Sequence, residues 1–389
     1  MTKGPLDGIT VVEIGGFIAG PFAGQLLGDY GARVIKIEPP GGDPMRTWGV
    51  VENGRSLWWP ALSRNKESVV LDLKTEEDRA LAADIFREAD IVLENFAPGR
   101  LASWDLDYPS VVEENPGLIM VHVSGFGQSG PRATDRGFGS IAEAMGGLRA
   151  LSGYPDRPPV RAGISLGDEV AGLFAVNGAL AALREREHSG RGQEVDVALY
   201  ESVFALSESL ISDWELGGVT RARTGSTLPG VAPSNVYTCA DGREVLIAAN
   251  SDSLYRRLCE AMGQEELKVD ERFATHQARG DNTEELDRIV QRWVSTLPAE
   301  KLEEVLDEHQ IPRGRIYTPE DIANDEQYAA RDMIVRKPAP GYSRPVPMPN
   351  VVPKFSRSPG SIRTTGTELG HHTESVRREF TREPRGTTG

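Results

Sequence analysis

The sequence predicts an α/β protein, with a large domain built on a doubly wound, mostly parallel sheet and a smaller α+β domain. Three observations carry this. Short apolar runs typical of buried strands alternate with helix-length segments from residue 9 to residue 125, which is the pattern of βαβ units with parallel strands. After Gly217 the texture changes to a hairpin signal followed by several helical segments. The 389 residues exceed what one core usually holds, and 39% hydrophobic with 26% charged residues is an ordinary globular composition.

Ile9 opens ITVVEIG, a buried strand; AGPFAGQLLGDYG follows as a short helix stopped by glycine, and ARVIKIE is the next strand. SVVLDL is a third strand and TEEDRALAADIFREA a helix in which Thr75 and Asp78 form a variant capping box, before the strand DIVLENF. PSVVEENPG is a further helix, leading into the strand LIMVHVSGFG. Residues 165 to 211 read as a long helical region, a strand-like QEVDVAL and another helix. In NVYTCADGREVLIAAN, Asp241-Gly242 predicts a type I′ turn between two strands, and helices are expected around 253–263, 284–297 and 299–309. Seven prolines between Lys337 and Pro359 predict an extended connector with little regular structure. HHTESVRREF then docks as a last helix. The domains fall at 1–220, 225–330 and 331–389, the last being connector and helix returning to the first.

A formal net charge of −15 argues against nucleic acid or an anionic membrane surface as partner. The N-terminus lacks the apolar core of a signal peptide, and no window approaches the roughly 18 apolar residues of a membrane span. Cys239 and Cys259 form no CxxC pair, which fits a reduced, cytoplasmic setting. The six histidines include one close pair, His371-His372; adjacent residues do not share a helix face, so no metal site is expected.

Doubly wound sheets hold ligands at the C-terminal strand ends, which here carry Gly15, Gly16, Glu38, Asn95, Phe96, Ser124 and Gly125. The dinucleotide fingerprint fails, because GxGxxG beginning at Gly15 needs glycine where Phe17 stands, and no Walker Lys-Ser/Thr occurs. Gly16, Gly20 and Gly24 recur every fourth residue, a spacing suited to close helix packing or to phosphate contact. Asp168, in ISLGDEVAG, precedes an apolar helix. It reads as an N-cap, or as a carboxylate nucleophile whose ionised form the helix N-terminus stabilises. HVSGFGQSGPRATDRGFG, with Arg132 and Arg136, is a surface loop or a lid. Arg46, Arg64, Lys66 and Lys74 are expected as solvated charges. Trp58 and Trp59 lack interleaved basic residues and read as packing or interface side chains.

In their order and spacing, LDGITVVEIGGFIAGP, GARVIKIEPPGGDPMR, NKESVVLDLK, ADIVLENFAPG, VSGFGQSGP, ISLGDEVAG, GALAALREREHSGRGQEVDVALYES and LGHHTESV resemble the class III coenzyme A transferases. That family includes formyl-CoA:oxalate transferases, carnitine CoA-transferases and α-methylacyl-CoA racemases, and the resemblance runs nearly end to end. It implies a Rossmann-like large domain in an interlocked homodimer, with acyl-CoA and a small carboxylic acid as substrates and no tightly bound cofactor. It implies that Asp168 attacks the thioester carbonyl to give an aspartyl anhydride and CoA thiolate, which then exchanges with an incoming carboxylate. CoA contacts carry over to Leu71, Lys74, Asn95, Phe96 and Arg136, and an acyl pocket and lid to Ile18, Phe138, Gly139, Leu228, Pro229 and Gly230.

Departures from the family pattern narrow the chemistry. Ile18 replaces a glutamine, Pro39 an arginine and Gly139 a glutamate of the oxalate enzymes, while Leu228, Pro229 and Val231 replace glycines of their lid. Formyl and oxalate are therefore not expected, and a larger acyl group is. The racemases carry a histidine where Phe138 stands, so their second proton shuttle is missing. Three readings follow: a CoA-transferase first, an acyl-CoA racemase or isomerase second, and a CoA-binding protein without turnover third. A dicarboxylic acid such as succinate, mesaconate or a malate-like acid suits the first.

Overall fold

The computed structural model describes residues 3–381. Six strands form one sheet, β1 (Thr10–Ile14), β2 (Arg33–Glu38), β3 (Lys66–Val70), β4 (Ile91–Glu94), β5 (Ile119–Ser124) and β6 (Glu194–Ala198). All pair in parallel, in the order β3-β2-β1-β4-β5-β6. The chain winds outward from β1 to β3, returns, and winds the other way through β4 to β6. That puts the switch point, where such sheets bind ligands, between β1 and β4.

Alternation along each strand sends side chains to two cores. Val11, Val34, Leu93, Val121 and Val197 point to the face covered by helix α1 (Ala19–Asp29). Val12, Ile35, Val69, Val92 and Met120 point to the face covered by α2 (Glu76–Arg87). Helices α3 (Gly139–Met145) and α4 (Leu166–Ser189) join the first face. Thr75 caps α2 by accepting from the Asp78 N–H, but Asp78 turns its carboxylate to the Asp72 N–H at 2.6 Å, so the reciprocal half of the expected capping box is absent.

Ala171, Ala175, Ala179 and Ala182 recur at helical spacing on the buried face of α4. Their small size brings α4 close to α1, where a Cβ on Gly172 would come within 2.9 Å of Phe22. By length and hydropathy α4 could cross a membrane, a segment the sequence reading did not anticipate; in this fold its alanine stripe is buried against α1.

Arg64 and Lys66, expected as solvated charges, are buried instead. Arg64 clasps Asp29, Nη2 to Oδ2 at 2.5 Å. Lys66 Nζ lies 2.6 Å from Glu13 Oε2, and the fully buried Lys36 sits 2.7 Å from Glu13 Oε1 and 2.8 Å from Asp43 Oδ2. Each buried charge meets an opposite one, as burial requires.

The chain folds as two compact units, Met1–Leu148 with Arg161–Ser209 and Glu326–Gly389, and Arg149–Val160 with Leu210–Asp325. The second unit is α+β, with strands β7 (Ser234–Thr238), β8 (Glu244–Ala248) and β9 (Arg313–Arg315) in the order β9-β8-β7. Tyr237, Val245, Ile247, Leu258, Leu286, Val290, Leu302 and Leu306 form its core. The β7-β8 hairpin forms, but not through a type I′ turn. Five residues separate the paired Thr238 and Glu244, and of Asp241 and Gly242 only Gly242 has positive φ, +80°, whereas type I′ needs both.

The proline-rich segment of the first unit is more regular than expected, since Ile334–Lys337 pairs antiparallel with Val346–Pro349. A two-stranded ribbon consists of edges, which tolerate the missing proline donors. The helix Thr373–Phe380 then buries Val376 in the core beside α2 and β3.

Candidate active site

The loops leaving β1 and β4 lock together at the switch point. Gly15 has φ +129°, and a Cβ there would lie 1.9 Å from Asn95 Oδ1, so glycine alone admits the Asn95 side chain. That amide clamps Gly16 from both sides, Oδ1 accepting from its N–H at 3.1 Å and Nδ2 donating to its carbonyl at 2.7 Å. Gly20 and Gly24 pack against side chains of the sheet, Gly20 against Asn95 and Gly24 against Glu13. A Cβ on Gly20 would lie 3.2 Å from Asn95 Cγ, and one on Gly24 2.0 Å from Glu13 Oε2.

Beyond this clamp runs a groove. One cavity of about 510 Å³ is lined by Leu71, Lys74, Asn95, Phe96 and Phe138 together with Pro39, Arg100 and Trp104. A second, of about 410 Å³, is lined by Ile18, Asn95, Phe96, Arg136, Phe138 and Asp168. Phe17, Asn95, Phe96 and Phe138 belong to both walls, so the two cavities are neighbours, with Lys74 on one and Asp168 on the other. Lys74 and Arg136 are exposed, Leu71 and Ile18 buried. Sequence reading missed Arg100 and Trp104. The Arg100 guanidinium stacks 4.4 Å from the Trp104 ring, whose edge meets Phe96 at 5.4 Å. The signal was present in PGRLASW, where a basic and an aromatic residue four apart follow a strand end.

Phe17, in the left-handed region at φ +63°, packs edge-on between Trp48 at 6.0 Å and Phe138 at 6.4 Å. Trp59 is buried beneath the Arg46 guanidinium, 4.3 Å from its ring centre. Arg46 in turn is paired with Glu38 rather than solvated, Nη2 to Oε1 at 2.7 Å. Leu228, Pro229 and Gly230 lie in the second unit, on an exposed turn closed by a bridge between Leu228 and Val231.

Asp168 does not cap its helix. α4 begins at Leu166 with Ser165 at the cap position, and Asp168 stands inside the first turn. Burial pushes its carboxyl up to about 6, Arg161 opposes that rise, Glu143 adds to it, and the N–H groups of Gly139 and of Asp168 itself favour the anion. Glu143 is fully buried, and Arg161 Nε lies 3.8 Å from its Oε1. Neither residue stood out in the sequence. A carboxylate held this way is ionised at neutral pH yet poorly solvated, and such a group attacks carbonyl carbon well.

A half-buried carboxylate with a raised pKa, in the wall of one of two neighbouring cavities that also carry Lys74 and Arg136, suits acyl transfer. The model of CoA-transferase family III matches residues 6–373. The chain is 51% identical over 374 residues to a succinyl-CoA–D-citramalate CoA-transferase of Chloroflexus aurantiacus, covering 96% of this chain and 93% of that one. It is 39% identical over 380 residues to the alpha subunit of a succinyl-CoA–L-malate CoA-transferase of the same organism, covering 97% and 89%. A crystal structure of a CaiB/BaiF family protein from Brucella suis matches with a TM-score of 0.85 and 34% identity, covering 98% of this chain and all of that one. The chain belongs to CoA-transferase family III and is an enzyme with CoA-transferase activity.

Proposed function

We propose that this enzyme moves CoA from an acyl-CoA to a free dicarboxylic acid through covalent chemistry at Asp168. The observation that carries this is the position of Asp168, half-buried with its pKa raised to about 6, in the wall of a cavity that shares Asn95, Phe96 and Phe138 with the cavity lined by Lys74. CoA lies along these two cavities, with Lys74, Arg100 and Arg136 offered to its phosphates and Leu71, Phe96 and Trp104 to its apolar parts. An Asp168 oxygen attacks the thioester carbon and the C–S bond breaks, leaving an aspartyl anhydride and CoA thiolate. The thiolate attacks the aspartyl carbonyl and releases the donor acid; the acceptor carboxylate then repeats the sequence in reverse, and CoA leaves on the acceptor. Nothing else is consumed, so no tightly bound cofactor is required.

The relatives named for succinyl-CoA support a dicarboxylic donor. Phe138, where a racemase needs a proton shuttle, disfavours racemisation. An interlocked homodimer is supported by apolar side chains left exposed, Phe204 and Leu206 in the first unit and Trp214, Leu216 and Val219 in the second. A cytoplasmic setting suits the two free thiols, Cys239 and Cys259.

Intact-protein mass spectrometry after incubation with a panel of acyl-CoA donors, half of each sample treated with hydroxylamine, tests the chemistry. A hydroxylamine-sensitive adduct mapping to Asp168 is expected. CoA binding with no adduct from any donor overturns the proposal.

A further inference from the structure

A separate cavity of about 560 Å³ is lined by residues that flank Asp168 in the chain. Its walls include the two indoles Trp48 and Trp58, the side chain of Ile164, and the polar groups of Arg161, Ser165 and Glu169. Ser165 and Glu169 bracket Asp168 on the first turn of α4. All belong to the first unit.

Arg161 is the unusual member. The neighbouring arginines are saturated by carboxylates, Arg46 by Glu38 through two nitrogens and Arg64 by Asp29 through two. Among the described residues the one ion pair of the Arg161 guanidinium is with Glu143, Nε to Oε1 at 3.8 Å, beyond hydrogen-bond distance, and its charge also acts through space on Asp168. The two terminal nitrogens, the pair best placed for bidentate carboxylate binding, have no protein acceptor among the described residues. Glu143, wholly buried behind it, holds the cation in place without neutralising its outer edge.

We infer that this cavity receives the remote carboxylate of a dicarboxylic substrate, with Arg161 as its charge partner and the residue that sets this specificity. The inference rests on the transfer reading above. A monocarboxylic acid brings its one carboxylate to the reacting centre at Asp168 and has nothing left for Arg161; a dicarboxylic acid satisfies both. The indoles and Ile164 pack against the short carbon chain between.

The test compares acceptors of equal length that differ in one charge, succinate against butyrate and glutarate against valerate, with one acyl-CoA donor. The quantity read is the ratio of kcat/KM within each pair, because any effect of Arg161 on Asp168 itself changes both members alike. The wild type favours the diacids. In Arg161→Gln the ratio falls about 10- to 100-fold, the scale of one lost charge-assisted bond, and Arg161→Lys recovers part of it. An equal loss for diacids and monoacids, or a wild-type preference for the monoacids, overturns the assignment. The Asp168 adduct of the wild type is measured separately, so failure of the transfer reading is distinguishable from failure of this one.

Discussion

Gly139 stands where any side chain would strike Asp168: a Cβ built on it lies 2.1 Å from Asp168 Oδ2 and 2.6 Å from its Cγ. The same glycine offers its N–H to that carboxylate. Gly139→Ala therefore forces the Asp168 carboxylate, the proposed nucleophile, out of its position, while Gly139 itself lines neither of the two cavities. A displacement on the order of 1 Å costs about 100-fold in rate, so kcat should fall by about that factor with CoA affinity retained. Rapid-quench measurement of adduct formation checks it, and an unchanged rate means that the Asp168 position seen here is not the reacting one.

Asp168→Asn separates chemistry from stability. Folding raises the Asp168 pKa from the ordinary carboxylate value to about 6, so the native state binds more protons than the unfolded chain between about pH 4 and pH 6. Wild-type stability therefore falls as pH rises through that window, and the cost of the buried anion is complete above it. The amide carries no charge. The variant should lose adduct formation and transfer, yet be more stable at pH 7.5 by up to about 3 kcal/mol, with the gain vanishing near pH 4. Urea unfolding at the two pH values reads this; an equal gain at both assigns the effect to something other than ionisation.

What the sequence makes legible follows from periodicity. ITVVEIG and DIVLENF are strands because their apolar residues fill both faces of a covered sheet, and their order along the chain implies parallel pairing. The groove residues Leu71, Lys74, Asn95, Phe96, Phe138 and Asp168 could be named because the family resemblance runs through them. Arg64 and Lys66 were misread because their counter-charges, Asp29 and Glu13, lie 35 and 53 residues away in sequence and meet them only in the fold. Arg161 and Glu143 escaped for the same reason, since neither acquires meaning until α3 and the loop before α4 converge on Asp168. The Asp241-Gly242 turn was misread because composition signals a turn without fixing its length.

Lys36 is the hub of the buried charge cluster beneath β1 and β2. Its ammonium meets Glu13 and Asp43, and Asp43 in turn receives the Phe17 N–H at 3.3 Å. Lys36→Met removes the cation and leaves the buried Asp43 carboxylate without its ion-pair partner, while Glu13 keeps Lys66; stranding a buried charge typically costs about 3–5 kcal/mol. The double variant Lys36→Met/Asp43→Asn removes the stranded charge while keeping an acceptor for the Phe17 and Met45 N–H groups, and should recover part of the loss. Chemical denaturation of the single and double variants reads the coupling; strict additivity excludes a direct role for the pair.

Glu94 ties the Phe96 wall of the two neighbouring cavities to the interior of the sheet. One carboxylate oxygen accepts the Phe96 N–H at 2.7 Å and the other meets His122 Nδ1 at 2.7 Å, while His122 Nε2 lies 3.2 Å from Glu194. Burial alone lowers the His122 pKa, but its bonds to Glu94 and Glu194 outweigh it and the net shift is upward. The sign of the linkage follows: the stabilisation is fully present below about pH 6.5, the ordinary histidine value, and is lost as pH rises through the raised native value. Glu94→Ala frees the Phe96 backbone and strands His122, so two effects should appear together. The KM for acyl-CoA should rise about three- to tenfold, the scale of one partly coupled buried hydrogen bond, with kcat nearly unchanged because Asp168 is untouched. The excess stability of the wild type over the variant should be constant below about pH 6.5 and shrink as pH rises above it. A fall in kcat without a change in KM would mean that Glu94 acts on the reacting centre and not on the CoA wall, and a pH-independent stability difference would remove His122 from the linkage.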